Sequence, residues 1–292
     1  MIELQGVRLD HPRNGEPLLR SLDLSVGAGQ VVVVHAGAGA GATRLMAVLA
    51  GEALADEGQV SVLGRDLARL RRSAQRVLRR SLGVVPQDLC LLLDRSALLN
   101  VTMPLEIDGV PRQAALVRAA ELLGALGVAA EADEPMAHQP HSVRQRVAVA
   151  RALVRRPQVL LCDQPTSLQD EAGAELVCAA IAGAAAAGAS CLVLARDPML
   201  LTQAVRRGWA VRVLQGGVLQ DEGTVPVPGP VEHDLDVSLD LLVSMVSAPT
   251  PQISEPEPDS DGVPNVVPFP NAAARSGRAA LSDRPAPIAE AG

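Results

Sequence analysis

Four consecutive valines, Val31 to Val34, lead through His35 into a turn of alternating small residues, A-G-A-G-A-G-A-T from Ala36 to Thr43, and then into the helical segment TRLMAVLAG. An unbroken β-branched run reads as a strand buried on both faces, because a strand with one wet face would alternate with polar residues. The chain must therefore supply a layer on each side of that strand. Further apolar runs supply the same signal: LGVV at 82–85, QVLLCD at 158–163 and CLVLA at 191–195, each separated from the next by a helical pattern. Strands alternating with helices predict a parallel α/β sheet covered on both faces.

Around this frame the sequence predicts an N-terminal antiparallel pair, IELQGVRL with LLRSLDLSV, and a strand QVSVL. An Arg-rich helix is expected from Asp66, amphipathic helices over about 97–130, helices from Ser142 and Asp170, and a closing strand pair, WAVRVL with GVLQDEG. Leu176 to Ala195 is twenty residues without a charge, long enough to cross a bilayer. Gly188-Ala189-Ser190 interrupts it, so a helix followed by a buried strand is expected instead.

Composition fixes what the core and the surface can contain. Trp209 and Phe269 are the only aromatics and there is no Lys, so packing rests on Leu, Val and Ala and every fixed positive charge is an Arg. Residues 1–223 hold 23 acids and 23 Arg, while residues 224–292 hold ten acids and three Arg, which accounts for the net charge of −7. A neutral body with an acidic tail argues against a nucleic-acid partner. Cys90, Cys162, Cys178 and Cys191 have no metal-binding spacing and read as small core residues in a reducing compartment. The N-terminus shows no export signal. From Thr224 the chain turns to Pro, Asp, Glu and Ser, which predicts a mostly disordered acidic tail over 224–292. Within it a short helix over 233–246 is expected, packing on the body or docking a partner.

The turn at 36–43 has the outline of a P-loop, in which backbone N–H groups wrap a phosphate, a Lys meets the outer phosphates, and Ser or Thr holds Mg²⁺. Gly39, Gly41 and Thr43 fit. Ala36 stands in place of the first Gly and Ala42 in place of the Lys. Arg44 is adjacent, but two residues along a helix are turned by about 200°, so it is expected to point away.

Three later segments follow in the right order: GVVPQD with Gln87, QRVAVARAL from Gln145 to Leu153, and VLLCDQPTSLQD from Val159 to Asp170. Together they resemble the Q-loop, the helix after the signature, and Walker B with the D-loop of ABC-type ATPases. The resemblance covers residues 1 to about 223, with a helical subdomain at about 88–155. It implies a RecA-like P-loop NTPase core, an N-terminal antiparallel β subdomain and an ABC helical subdomain. It also implies ATP and Mg as cofactors. His11, Ala38, Gly39, Ala40, Gly41, Ala42, Thr43, Arg44 and Gln87 fall at the nucleotide positions, and Thr43, Gln87 and Asp163 at the Mg positions. His11 falls where the family stacks an aromatic on adenine.

Within the family, the segment 81–109 most resembles the cell-division ATP-binding subunits of the FtsE type, and next the lipoprotein-release and macrolide-export ATPases. The resemblance implies a cytoplasmic subunit on the inner face of the plasma membrane, an integral membrane partner of the FtsX or permease type, and a homodimer or a heterodimer with another ABC subunit.

The departures from the family pattern bear on catalysis. Gln164 holds the position of the catalytic Glu, and an amide cannot serve as the general base. Arg196 holds that of the switch His. The signature reads Gln139-Pro140-His141-Ser142-Val143, without its paired glycines. Loss of a charge-assisted phosphate contact costs roughly 1.5 to 3 kcal/mol, and loss of general-base assistance about 10² to 10⁴ in rate. The sequence thus predicts no intact catalytic residue and a non-catalytic scaffold or regulatory subunit acting with a membrane partner in cell division; the alternative is an ATP-hydrolysing subunit of an ABC transporter of the lipoprotein-release or macrolide-export type. The sequence leaves two readings of the loop open: weak Mg-nucleotide binding, or an empty turn that closes the fold.

Overall fold

The computed structural model describes residues 1–221. The chain begins with β1 (Ile2–Asp10), β2 (Pro17–Val26), β3 (Val31–Ala36), α1 (Ala42–Leu49), β4 (Glu57–Val62) and β5 (Arg65–Asp66). It continues through α2 (Arg72–Arg80), β6 (Leu82–Val85), α3 (Ala97–Ile107), α4 (Arg112–Ala125), α5 (His141–Leu153) and β7 (Val159–Asp163). Helix α6 (Glu171–Ala186), β8 (Ser190–Ala195), α7 (Pro198–Arg206), β9 (Ala210–Gln215) and β10 (Val218–Asp221) complete it. The tail and the helix expected over 233–246 lie outside the described residues.

A six-stranded sheet carries the order β10-β9-β3-β8-β7-β6, and a four-stranded sheet the order β2-β1-β4-β5. In the larger sheet β3 pairs in parallel with β8 and β9, β7 with β6 and β8, and only β10 runs antiparallel. The valine run sits at the centre of this sheet. Its side chains alternate between two cores: Val31 and Val33 join the helices α3 to α7, while Val32 and Val34 join α1 and the antiparallel sheet. That alternation is why the run needs no polar residue.

The uncharged stretch 176–195 is most of α6 plus β8, divided at Gly188 with φ 96°. Among the described residues no helix is long and apolar enough to cross a membrane. Two details differ from the sequence expectation. Asp66 does not open the Arg-rich helix; it pairs in β5 and then caps a single 3-10 turn, Leu67–Arg69, and α2 begins only at Arg72. Cys90 is exposed, whereas Cys162, Cys178 and Cys191 are buried, and burial pushes the Cys178 and Cys191 thiols up to about 12.

Candidate functional site

The turn after β3 is built by left-handed glycines. Gly39 has φ 75° and Gly41 φ 84°. A Cβ on Gly41 would stand 2.9 Å from the Leu18 Cβ of β2, so this position requires glycine on both conformational and steric grounds. Gly41 also caps α1, and no side chain occupies the N–H groups of that helix start. Open amides at the head of a helix are what an anion site needs.

The side chains around that turn are less well suited. Ala42 is 5% exposed and its methyl belongs to the core beneath α1. Arg44 turns aside as its helical offset requires: its Nη2 lies 3.0 Å from Asp56 Oδ2. The Asp56 carboxyl is held below its ordinary value, first by the hydrogen bond from the Asp10 backbone N–H and then by Arg44. Both partners of that ion pair are thereby committed to each other.

Two cavities flank the loop. One, of about 650 Å³, is lined by Gly37, Ala38, Gly39 and Ala40, by His35 and Arg20, and by the β9–β10 turn. Arg20 is therefore a cation beside the glycine turn that the sequence order does not reveal, since β2 is brought there by the fold. The other cavity, of about 670 Å³, gathers Thr43, Gln87 and Asp163 with Asp88, Cys90 and Arg151. These first three are the residues expected to hold Mg. Thr43 Oγ1 donates to Asp163 Oδ2 at 3.1 Å, while Asp163 Oδ1 is buried without a partner. Burial raises the Asp163 carboxyl, opposed by the Thr43 hydrogen bond and the positive charge of Arg196. A carboxylate oxygen left over beside a hydroxyl and an amide suits a hard cation. The donor set fits Mg²⁺; the position of the phosphate-binding Lys, filled by Ala42, does not fit a polyphosphate.

The remaining expected residues are placed as follows. His11 sits in the β1–β2 turn, where its Nδ1 accepts from the Arg13 N–H, and it lines neither cavity. Gln164 is buried with φ 56°. Arg196 is exposed at the end of β8. Gln139 to Val143 enters α5 through Pro140, which has no N–H, followed by an exposed His141.

Sequence reasoning missed the side-chain network that fixes Gln164. Gln145 Nε2 of α5 donates to the Gln164 carbonyl and to Ser167 Oγ, and Gln169 Nε2 donates to Gln145 Oε1 and the Ser142 carbonyl. The start of α5 is thus tied to the loop after β7. Arg151 closes the same cavity from α5 by donating to the carbonyls of Leu89 and Cys90, both of which have positive φ.

A family model described as ABC transporter matches residues 19–167, just over half of the chain. This chain belongs to the ABC transporter family. It is 36% identical over 225 residues to the methionine import ATP-binding protein MetN of Caulobacter vibrioides, covering 77% of this chain and 67% of that protein. It is 37% identical over 206 residues to the lipoprotein-releasing system ATP-binding protein LolD of Chromohalobacter salexigens, covering 70% and 86%. Against the macrolide export ATP-binding/permease protein MacB of Photorhabdus laumondii, identity is 32% over 77% of this chain but only 35% of that protein. These relatives carry transport names, not the cell-division name suggested by the segment 81–109. Among solved structures, the dimeric structure of MJ0796, a bacterial ABC transporter cassette, superposes with a TM-score of 0.67 at 24% identity, covering 77% of this chain and all of that one. The P-loop NTPase α/β fold with its antiparallel sheet is thus that of an ABC cassette.

Proposed function

We propose that this cassette is the ATP-binding-type subunit of a transport assembly, that it dimerises and docks beneath an integral membrane permease, and that it does not hydrolyse ATP at an enzymatic rate. The observation that carries the last point is Ala42. A buried methyl stands where the loop needs an ammonium, and Arg44, the nearest cation in sequence, is held by Asp56. Mg-ATP, when bound, brings a polyphosphate whose negative charge such a loop must offset. In this chain Thr43, Gln87 and Asp163 would hold the cation, and Arg20 with the turn amides other than that of Ala40, which donates to the Gly37 carbonyl, the anion. Gln164 cannot take a proton from water, and the paired glycines of the signature are missing. Any nucleotide is therefore held weakly.

The transport reading rests on the relatives named above. The cell-division reading, in which the partner is of the FtsX type, rests only on the likeness of 81–109 to FtsE subunits, and we place it second. The exposed Leu92, Leu93 and Ile107 of that segment suit a membrane partner under either reading, with the cassette on the cytoplasmic side. Steady-state phosphate release from the purified chain tests the absence of turnover. Background rates are expected. Turnover of about 1 per second or more that disappears in Asp163→Asn overturns the proposal.

A further inference from the structure

Helix α2 makes little use of the body it rests on. Leu78 is its single fully buried residue. Between Arg65 and Arg80 the chain places seven Arg and one acid, Asp66, and all seven Arg are exposed. Three of them have local partners: Arg69 meets Asp66 at 3.2 Å, Arg79 donates to the Gly51 carbonyl, and Arg80 meets Asp108 at 3.5 Å. Arg65, Arg71, Arg72 and Arg76 make no ion pair or side-chain hydrogen bond with any described residue.

The arrangement opposes helix formation. Arg72, Arg76 and Arg80 follow at i, i+4 spacing, where like charges repel. Arg71 and Arg72 stand at the helix start, the positive end of its dipole, and Arg71 provides no cap. At 100° per residue, Arg72, Arg76, Arg79 and Arg80 share an arc of about 100° on the side away from Leu78. Apolar side chains border that arc. Val77 is 53% exposed on α2, and Leu54, 59% exposed, shares a crevice with Gln75, Leu78 and Arg79. The Arg80–Asp108 pair joins this face to the end of α3, where Ile107 is 65% exposed.

We infer that the α2 face is a membrane-docking surface that takes the phosphate headgroups of anionic lipids directly, beside whatever protein partner the cassette engages. Guanidinium forks match phosphate oxygens in pairs, and headgroups would supply the counter-charge the fold withholds. Scattered exposed apolar residues among the Arg favour lipid over nucleic acid: a bilayer interface accepts Leu54, Val77 and Ile107, whereas a phosphate backbone offers them nothing. Nor does the patch carry an aromatic for base stacking, and residues 1–223 as a whole are neutral. The inference is independent of nucleotide binding and hydrolysis.

The test is flotation of the full chain with phosphatidylcholine vesicles, with and without phosphatidylglycerol, at low and high salt. Binding is expected only with phosphatidylglycerol, and it should weaken as salt rises. The triple variant Arg71→Gln, Arg72→Gln, Arg76→Gln, verified as folded by circular dichroism, should bind about tenfold to a hundredfold less tightly. The same three positions changed to Lys should retain most of the binding, since headgroup attraction depends chiefly on charge. Equal binding to both vesicles, no binding to either, an unaffected Gln variant, or tighter binding to duplex DNA than to the anionic vesicles at the same salt would each overturn the assignment.

Discussion

Replacing Ala42 with Lys asks whether the loop still takes phosphate once the missing charge is returned. The gain from an ammonium on a polyphosphate is roughly 1.5 to 3 kcal/mol. The structure takes part of this back. Ala42 is 5% exposed and belongs to a packed core, and a four-carbon stem must thread out of it past Leu18, already close to Gly41. Overpacking of this kind costs about 1 to 3 kcal/mol. The net effect then lies between a loss of about 1.5 and a gain of about 2 kcal/mol, at most some thirtyfold in affinity, with a lower melting temperature in the absence of ligand. Calorimetric titration of both proteins with Mg-ATP, together with thermal melts, reads both quantities. Hydrolysis should stay at background because Gln164 remains. A gain well above a hundredfold, or renewed turnover, would refute the packing and general-base arguments together. No binding by either protein would show that the loop amides do not form a phosphate site.

Asp163→Asn should stabilise the ligand-free chain by about 1 kcal/mol near neutral pH, by removing the charge of a buried carboxylate whose Oδ1 has no partner. Burial raises this carboxyl in the fold, so the native state holds its proton more tightly than the unfolded chain. The penalty is absent below the ordinary Asp value and is complete above the raised one. Denaturant melts should accordingly show the advantage of Asn vanishing in acid; an advantage that grows in acid would contradict the assignment. A chain ending at residue 223 should fold with an unfolding midpoint close to that of the full chain, because among the described residues two cores are already complete by Leu219. Insolubility of that shorter chain would mean that the tail belongs to the fold.

What the sequence reveals of this fold depends on how local each cause is. The valine run names its own environment, because four consecutive β-branched apolar residues favour a strand covered on both faces. Asp170 opens α6 by accepting from the Gly173 N–H at 2.8 Å, a cap readable from the residue type. Helix α7, not among the expected helices, carries the same signal, with Asp197 as its cap and Pro198 in its first turn. Contacts made by tertiary folding left no local trace. Arg20 reaches the glycine turn because β2 crosses beside it, and Gln145 reaches Gln164 across nineteen residues. The transport relatives were also not separable from FtsE subunits by the segment 81–109, which resembles several branches of the family.

The losses at the site share one physical direction. Relative to the family pattern, position 42 exchanges a cation for a methyl and position 164 a carboxylate for an amide. Both residues are buried in the ligand-free chain, at 5% and 9% exposure, where an ionised side chain without a counter-charge is costly. In a cassette that binds Mg-ATP that cost is offset by the ligand; on the non-catalytic function proposed above it would be a pure loss of stability. Neutral replacements at the two positions are therefore what selection for a stable fold alone would favour. Thr43 and Asp163 remain because they partner each other, hydroxyl to carboxylate, and the glycines at 39 and 41 remain because the backbone turn into α1 is left-handed at both. The loop keeps the features that the fold itself requires. The Lys that the family pattern places at position 42 is absent, and Arg20 is the cation left beside the turn.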